Sequence, residues 1–110
     1  RTCIFPYSGE KILEKKYTKW FDCDKINCEL TVRTRRSGDY MAVSQSGGHK
    51  KLTRCMIDDK IPGELRGKLP LVVDGNEVLW IVGGRINERY KITSETGRVL
   101  EITYQGGNVQ

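Results

Sequence analysis

The sequence predicts a single domain of the α+β class, a mixed β-sheet accompanied by two short helices. Three observations carry that expectation. Leu71-Val72-Val73 and Val78-Leu79-Trp80-Ile81-Val82 are apolar runs separated by Asp74-Gly75-Asn76, residues that tolerate the tight backbone of a hairpin turn. Arg98 to Tyr104 alternates Val99, Glu101 and Thr103 with Leu100, Ile102 and Tyr104, the period of a strand. Leu52, Cys55 and Met56 recur at helical spacing. Strands on both sides of the helices, without regular βα alternation, favour a mixed sheet over a parallel one.

Along the chain, residues 1–14 carry apolar Ile4, Phe5, Ile12 and Leu13 broken by Pro6, Ser8 and Gly9, the pattern of an edge hairpin or a linker. Lys19 to Asp22 and Glu29 to Arg35 are rich in β-branched and aromatic residues and read as strands. In the second, Leu30 and Val32 should face the core while Thr31, Arg33 and Arg35 share the opposite face. Ser37-Gly38-Asp39 is a turn and Ser44 to Gly48 a small-residue loop.

A helix is expected over Lys50 to Asp59, with Lys50, Lys51 and Arg54 toward solvent. Cations at its N-terminal end are unfavourable unless an anion is brought in. Pro62 begins a second helical turn that runs to Arg66 and ends by Gly67. After the hairpin, Gly83-Gly84-Arg85 should bend the chain out of the sheet, and Tyr90-Lys91-Ile92 reads as a short extended piece. Residues 105–110 form a tail expected to be disordered, which leaves 15–104 as the domain proper.

The chain of 110 residues, 37% of them hydrophobic, suffices for one modest core. Its longest apolar runs are far too short to span a bilayer, so no membrane partner is expected. It opens at Arg1 without a charged-then-apolar leader, which suggests an excised piece of a cytoplasmic protein. Cys3, Cys23, Cys28 and Cys55 form no CxxC pair and His49 is the sole histidine, so reduced, metal-free thiols are expected.

Charge is distributed unevenly. Residues 1–32 hold six Lys and Arg against five Asp and Glu, residues 33–68 nine against four, and residues 69–110 four against five. The middle third therefore carries the whole surplus of the +5 net charge, as expected of a surface that meets a polyanion.

No catalytic set emerges. Ser46-Gly47-Gly48 has the start of a pyrophosphate-holding loop, but His49, Lys50 and Lys51 stand where that loop needs Asp-Ser. Gly63 to Lys68 has three residues between its glycines where a P-loop has four, and Leu69 replaces the magnesium-holding hydroxyl. Asp58 and Asp59, adjacent on a helix, diverge by about 100° and cannot readily converge on one ion. Trp80, among apolar strand residues, is expected in the core and not as a stacking platform.

Tyr17 to Ile26 and Val32-Arg-Thr-Arg-Arg-Ser-Gly-Asp39 resemble the C-terminal domain of tRNA(Ile)-lysidine synthases, which carry an Arg-x-Arg-(Arg)-Pro-Gly-Asp segment. The resemblance continues through Gly47-Gly-His-Lys-Lys-Leu52, Ile57-Asp-Asp-Lys-Ile-Pro62, Leu69-Pro-Leu71, Leu79-Trp-Ile-Val-Gly83, Arg85-Ile86 and Tyr90-Lys-Ile-Thr93. It covers roughly residues 15–102, and its specificity lies in the order and spacing of several motifs. Ser37 replaces the usual turn proline, and Thr53 and Arg54 stand where Lys and Asp are frequent.

The resemblance implies a domain that is not itself an enzyme but grips the acceptor-stem side of tRNA(Ile) with a CAU anticodon. A missing N-terminal catalytic domain, a ligase using ATP, magnesium and lysine, would convert the wobble cytidine to lysidine. That domain is a second implied partner, and a homodimer is left open. No cofactor is expected in the fragment. An acceptor stem offers phosphates and 2′-hydroxyls across a shallow groove, which Arg and Lys on a rigid surface can grip. The candidates are Arg33, Arg35, Arg36, Lys50, Lys51, Arg54, Lys60, Arg66 and Arg85, against the alternative that these cations pair with Asp39, Asp58 or Asp59. The rival reading is a basic docking domain that meets an acidic protein surface without touching RNA.

Overall fold

Residues 71–74 (β6) and 77–81 (β7) form the expected antiparallel hairpin, and it is the centre of the molecule. The structure is a computed structural model that describes residues 1–12, 15–27, 29–44, 46 and 48–105. Gly75 takes φ +70° at the tip of the hairpin, a backbone conformation that L side chains rarely adopt. Val72 pairs with Trp80 and Val73 with Val78. Leu79 is therefore an extra residue, a bulge that lets the adjacent Leu79 and Trp80 enter the same core.

Around this hairpin the strands Leu30–Arg33 (β3), Tyr40–Ala42 (β4) and His49–Lys51 (β5) complete a five-stranded sheet in the order β3-β6-β7-β4-β5. The sheet is mixed because β4 meets β7 in parallel at Tyr40 and Glu77, while every other pairing is antiparallel. Thr2–Pro6 (β1), Thr18–Asp22 (β2) and Arg98–Thr103 (β8) make a separate antiparallel sheet with β8 in the middle. Two helices, Leu52–Asp58 (α1) and Gly63–Arg66 (α2), complete the α+β architecture.

Both faces of the central hairpin are buried. One packs Val72, Leu79 and Trp80 against Phe21, Leu100 and Ile102 of the three-stranded sheet, with Tyr90 and Val82. The other packs Leu71, Val73, Val78 and Ile81 against Met41 and the apolar side of α1, Leu52, Cys55 and Met56. Burying each such side chain stabilises the fold by about 1.5–3 kcal/mol, so the five-stranded sheet is held as a middle layer. Trp80 is fully buried, as its neighbours indicated. Among the described residues no helix is long and apolar enough to cross a membrane.

Several local expectations are corrected. Lys50 and Lys51 belong to edge strand β5 and not to the helix, which starts at Leu52. Val32 is 56% exposed and does not face the core. β3 is an edge strand, and Arg33 is the residue drawn inward, by a carboxylate. Tyr90 closes a 3₁₀ turn, Glu88–Tyr90, whose first N–H groups are capped by Asn87, in place of an extended piece. Among the described residues the N-terminal segment forms no hairpin with itself. β1 instead runs along β8, Thr2 opposite Ile102 and Pro6 opposite Arg98. Gly83, at φ +85°, reverses the chain and does not carry it away, since Ile86 bridges back to Trp80. Of the tail expected at 105–110, residues 106–110 lie outside the described residues.

Candidate nucleic-acid interface

The loop joining β3 to β4 is organised by one carboxylate. Asp39 is buried, and its oxygens accept from Arg33 Nη1 (2.8 Å) and Nη2 (2.8 Å), from the Arg36 backbone N–H (2.7 Å) and from Asn76 Nδ2 (3.4 Å). Arg33 also donates to the Thr34 carbonyl (3.0 Å) and, more weakly, to the Gly75 carbonyl (3.3 Å). Burial pushes the Asp39 carboxyl up, but the hydrogen bonds from Arg33, Arg36 and Asn76 outweigh it and hold it below the usual carboxylate value. The same hydrogen bonding, donated by Arg33 to Asp39, raises the Arg33 guanidinium above its ordinary value.

This bracing ties the loop at Arg33, Arg36 and Asp39, with Arg36 exposed and Arg35 half-buried. Neither side chain forms an ion pair with any described residue. The Asp39 carbonyl accepts the Leu52 N–H (2.9 Å), and Lys51 lies opposite Tyr40 across β4 and β5. Lys51 is thereby set beside the base of the loop, exposed and likewise unpaired among the described residues. Arg35, Arg36 and Lys51 thus sit on neighbouring hydrogen-bonded segments, none of them in an ion pair with a described residue.

Other candidates are neutralised within the fold. Lys50, its side chain alternating with that of Lys51 along β5, donates to Asp58 (2.8 Å), which Arg54 also approaches at 3.3 Å. Hydrogen bonding from Lys50 is the main cause that lowers the Asp58 carboxyl. Arg85 forks onto Asp59 through Nε (2.9 Å) and Nη2 (2.6 Å), and this raises its guanidinium. Asp39, Asp58 and Asp59 therefore claim Arg33, Lys50, Arg54 and Arg85, and these cations meet a polyanion only as half of a pair.

A second basic region adjoins the C-terminal end of α1. Asp59 and Lys60 follow the helix in a Schellman motif: Lys60 N–H reaches the Ile57 carbonyl (2.9 Å) and Ile61 N–H the Met56 carbonyl (3.0 Å). Lys60 holds φ +60°, the conformation this motif usually gives to glycine. Beside it opens a groove of about 700 Å³ lined by Lys16, Tyr17, Lys60, Ile61, Pro62, Leu65 and neighbours. Arg66 lies on α2 with its Nε on the Ile61 carbonyl (2.9 Å).

Asp39 as an organiser, and Lys16 and Tyr17 as groove residues, were not among the sequence candidates. The basic-aromatic run Lys15-Lys16-Tyr17 was the available signal for the latter pair. Chemically the surface offers donors and positive charge. Among the described residues no three His, Cys, Asp or Glu side chains gather to hold a metal ion. Cys55 is buried, which pushes its thiol up, Cys3 is exposed and Cys23 half-buried, while Cys28 lies outside the described residues.

Comparison with known proteins gives a consistent result. The family model described as "TilS substrate C-terminal domain" matches residues 30–102. The chain is 44% identical over 89 residues to a tRNA(Ile)-lysidine synthase of Caldanaerobacter subterraneus subsp. tengcongensis, which covers 81% of this chain and 19% of that protein. It is 40% identical over 98 residues to the synthase of Clostridium perfringens, covering 89% and 21% respectively. The chain thus spans about a fifth of the length of the curated relatives it matches. A crystal structure of a TilS C-terminal domain superposes with a TM-score of 0.68 at 26% identity, covering 96% of this chain and 83% of that one.

Proposed function

The chain belongs to the TilS substrate C-terminal domain family, and on that premise we propose that it is an RNA-binding module that grips the acceptor stem of tRNA(Ile) bearing a CAU anticodon. Its relatives are named tRNA(Ile)-lysidine synthases. Adenylation of the wobble cytidine and attachment of lysine, with ATP and magnesium, belong in this reading to the part of such a synthase that the 110 residues do not include.

The observation that carries the reading is the Asp39-braced loop. It carries Arg35 and Arg36 on a segment that neighbours the strand holding Lys51, with no carboxylate taken up by any of the three among the described residues. An A-form stem exposes phosphates and 2′-hydroxyls and not readable base edges in its deep groove, so a rigid constellation of forked donors is the suitable reader. Guanidiniums held this way lose less freedom on binding than those on a loose loop.

The test is a titration of the chain with minor isoleucine tRNA and with a methionine tRNA that shares its anticodon. Tighter binding of the former supports acceptor-side recognition. Equal affinity for both, or none for either, contradicts it.

A further inference from the structure

The groove beside Lys60 draws on three distant segments. Tyr17, a residue 47% exposed, lines the groove, and the ammonium of Lys16 lies 5.5 Å from its ring centroid. Ile61, Pro62 and Leu65, the last exposed, and Ile81 to Gly84 also line the groove. The backbone at Gly83 approaches the aromatic wall so closely that a Cβ there would sit 3.5 Å from Tyr17 Cε1 and 3.5 Å from Lys16 Cε.

Charge at the rim is positive. Lys16 and Lys60 are exposed and form no ion pair among the described residues, whereas Asp59, the acid at the rim, is already engaged by Arg85. Lys60 moreover keeps a cation at a left-handed position that costs a non-glycine residue about 1–2 kcal/mol, and such outliers concentrate at ligand clamps. An exposed aromatic residue, apolar walls and two ammonium groups outside any ion pair among the described residues complement an unpaired nucleotide, whose base has an apolar face and whose phosphate is anionic. Duplex phosphates would not enter a concave apolar slot.

We propose that this groove holds an unpaired nucleotide at the single-stranded end of the RNA, its base against Tyr17 and its phosphate between Lys16 and Lys60. The proposal rests on the RNA-binding reading and adds a subsite to it. α1 separates the two regions, Lys51 preceding it and Lys60 following it, a length of about 10 Å. That is only a few base-pair steps of an A-form stem, so a stem gripped at the braced loop can end near the groove.

The experiment compares two RNA hairpins of one acceptor-stem sequence, one blunt and one with a four-nucleotide single-stranded 3′ extension, by fluorescence anisotropy at several salt concentrations. The wild-type chain should bind the extended hairpin more tightly. Tyr17→Ala should weaken that binding on the order of tenfold, because a stacking contact is lost, while leaving the salt slope and the blunt hairpin unchanged. Tyr17→Phe should bind as wild type does, and Leu65→Glu, on an exposed side chain, should repel the extension selectively. Equal wild-type affinity for the two hairpins overturns the proposal, as does a Tyr17→Ala variant indifferent to the extension, the result expected if the groove takes a protein instead. Arg35→Ala separates the two levels: it should weaken both hairpins alike, and failure there counts against the braced-loop reading and not against the groove.

Discussion

Arg33 and Asp39 are joined fork to fork, Nη1 to Oδ2 and Nη2 to Oδ1 each at 2.8 Å, with side chains only 10% and 1% exposed. The pair is thus a structural brace that presents its neighbours, and the guanidinium of Arg33 is not free for phosphate. Breaking a buried pair by removing one partner typically costs about 3–5 kcal/mol, because the other charge is left uncompensated. Arg33→Ala is expected to lower the unfolding free energy, read from a urea titration, by about 3 kcal/mol, the lower end of that range. Arg33→Lys should recover part of the loss, since the charge remains but the fork does not. A variant that unfolds like wild type yet fails to bind RNA would instead make Arg33 a direct phosphate ligand.

Acid should act through the same carboxylate. The folded Asp39 lies below its unfolded value of about 3.9, so the unfolded state binds the proton more readily. The stability it contributes is present above about pH 4 and is lost as pH falls through the folded value. Equilibrium unfolding between pH 7 and pH 2 should show stability declining below about pH 4. Asp39→Asn should be less stable at neutral pH and fall less steeply on acidification. An identical acid slope in the variant would remove Asp39 from the account.

Lys60 should oppose stability to binding. Glycine adopts φ +60° without the Cβ clash that a lysine meets there, so Lys60→Gly is expected to stabilise the chain by about 1 kcal/mol. It should also weaken RNA binding by removing a groove cation. A thermal melt and a titration on the same sample check both. A variant that is destabilised would show that the lysine is held by contacts beyond its backbone.

Much of the fold was legible because it rests on local chemistry. Asp74-Gly75-Asn76 between apolar runs specifies β6 and β7, and Leu52, Cys55 and Met56 specify the buried face of α1. β4 and β5 were not legible: each is three residues long, and His49-Lys50-Lys51 is exposed throughout, so neither shows apolar alternation. Period-2 reasoning placed Val32 inward, but its exposure follows from β3 being an edge strand and from Arg33 being drawn to Asp39, which no period encodes.

The residue types of the site were legible while their pairing was not. Asp39 lies six residues from Arg33, Asp58 eight from Lys50 and Asp59 twenty-six from Arg85. The sequence named all three acids as potential partners, and only the fold assigns each its cation. The groove lay further out of reach, since Tyr17, the end of α1 and Gly83 meet through tertiary packing alone.

The most direct test of the central claim is the salt dependence of RNA binding by a chain carrying Arg35→Ala together with Lys51→Ala. Both residues are unpaired among the described residues and lie outside the two core clusters, so the melting temperature should hardly move. Loss of two phosphate contacts should weaken acceptor-stem binding and flatten the slope of log affinity against log salt by on the order of 1.4, and by more for a duplex-like contact. Unchanged affinity and unchanged slope in a folded double variant would contradict the account.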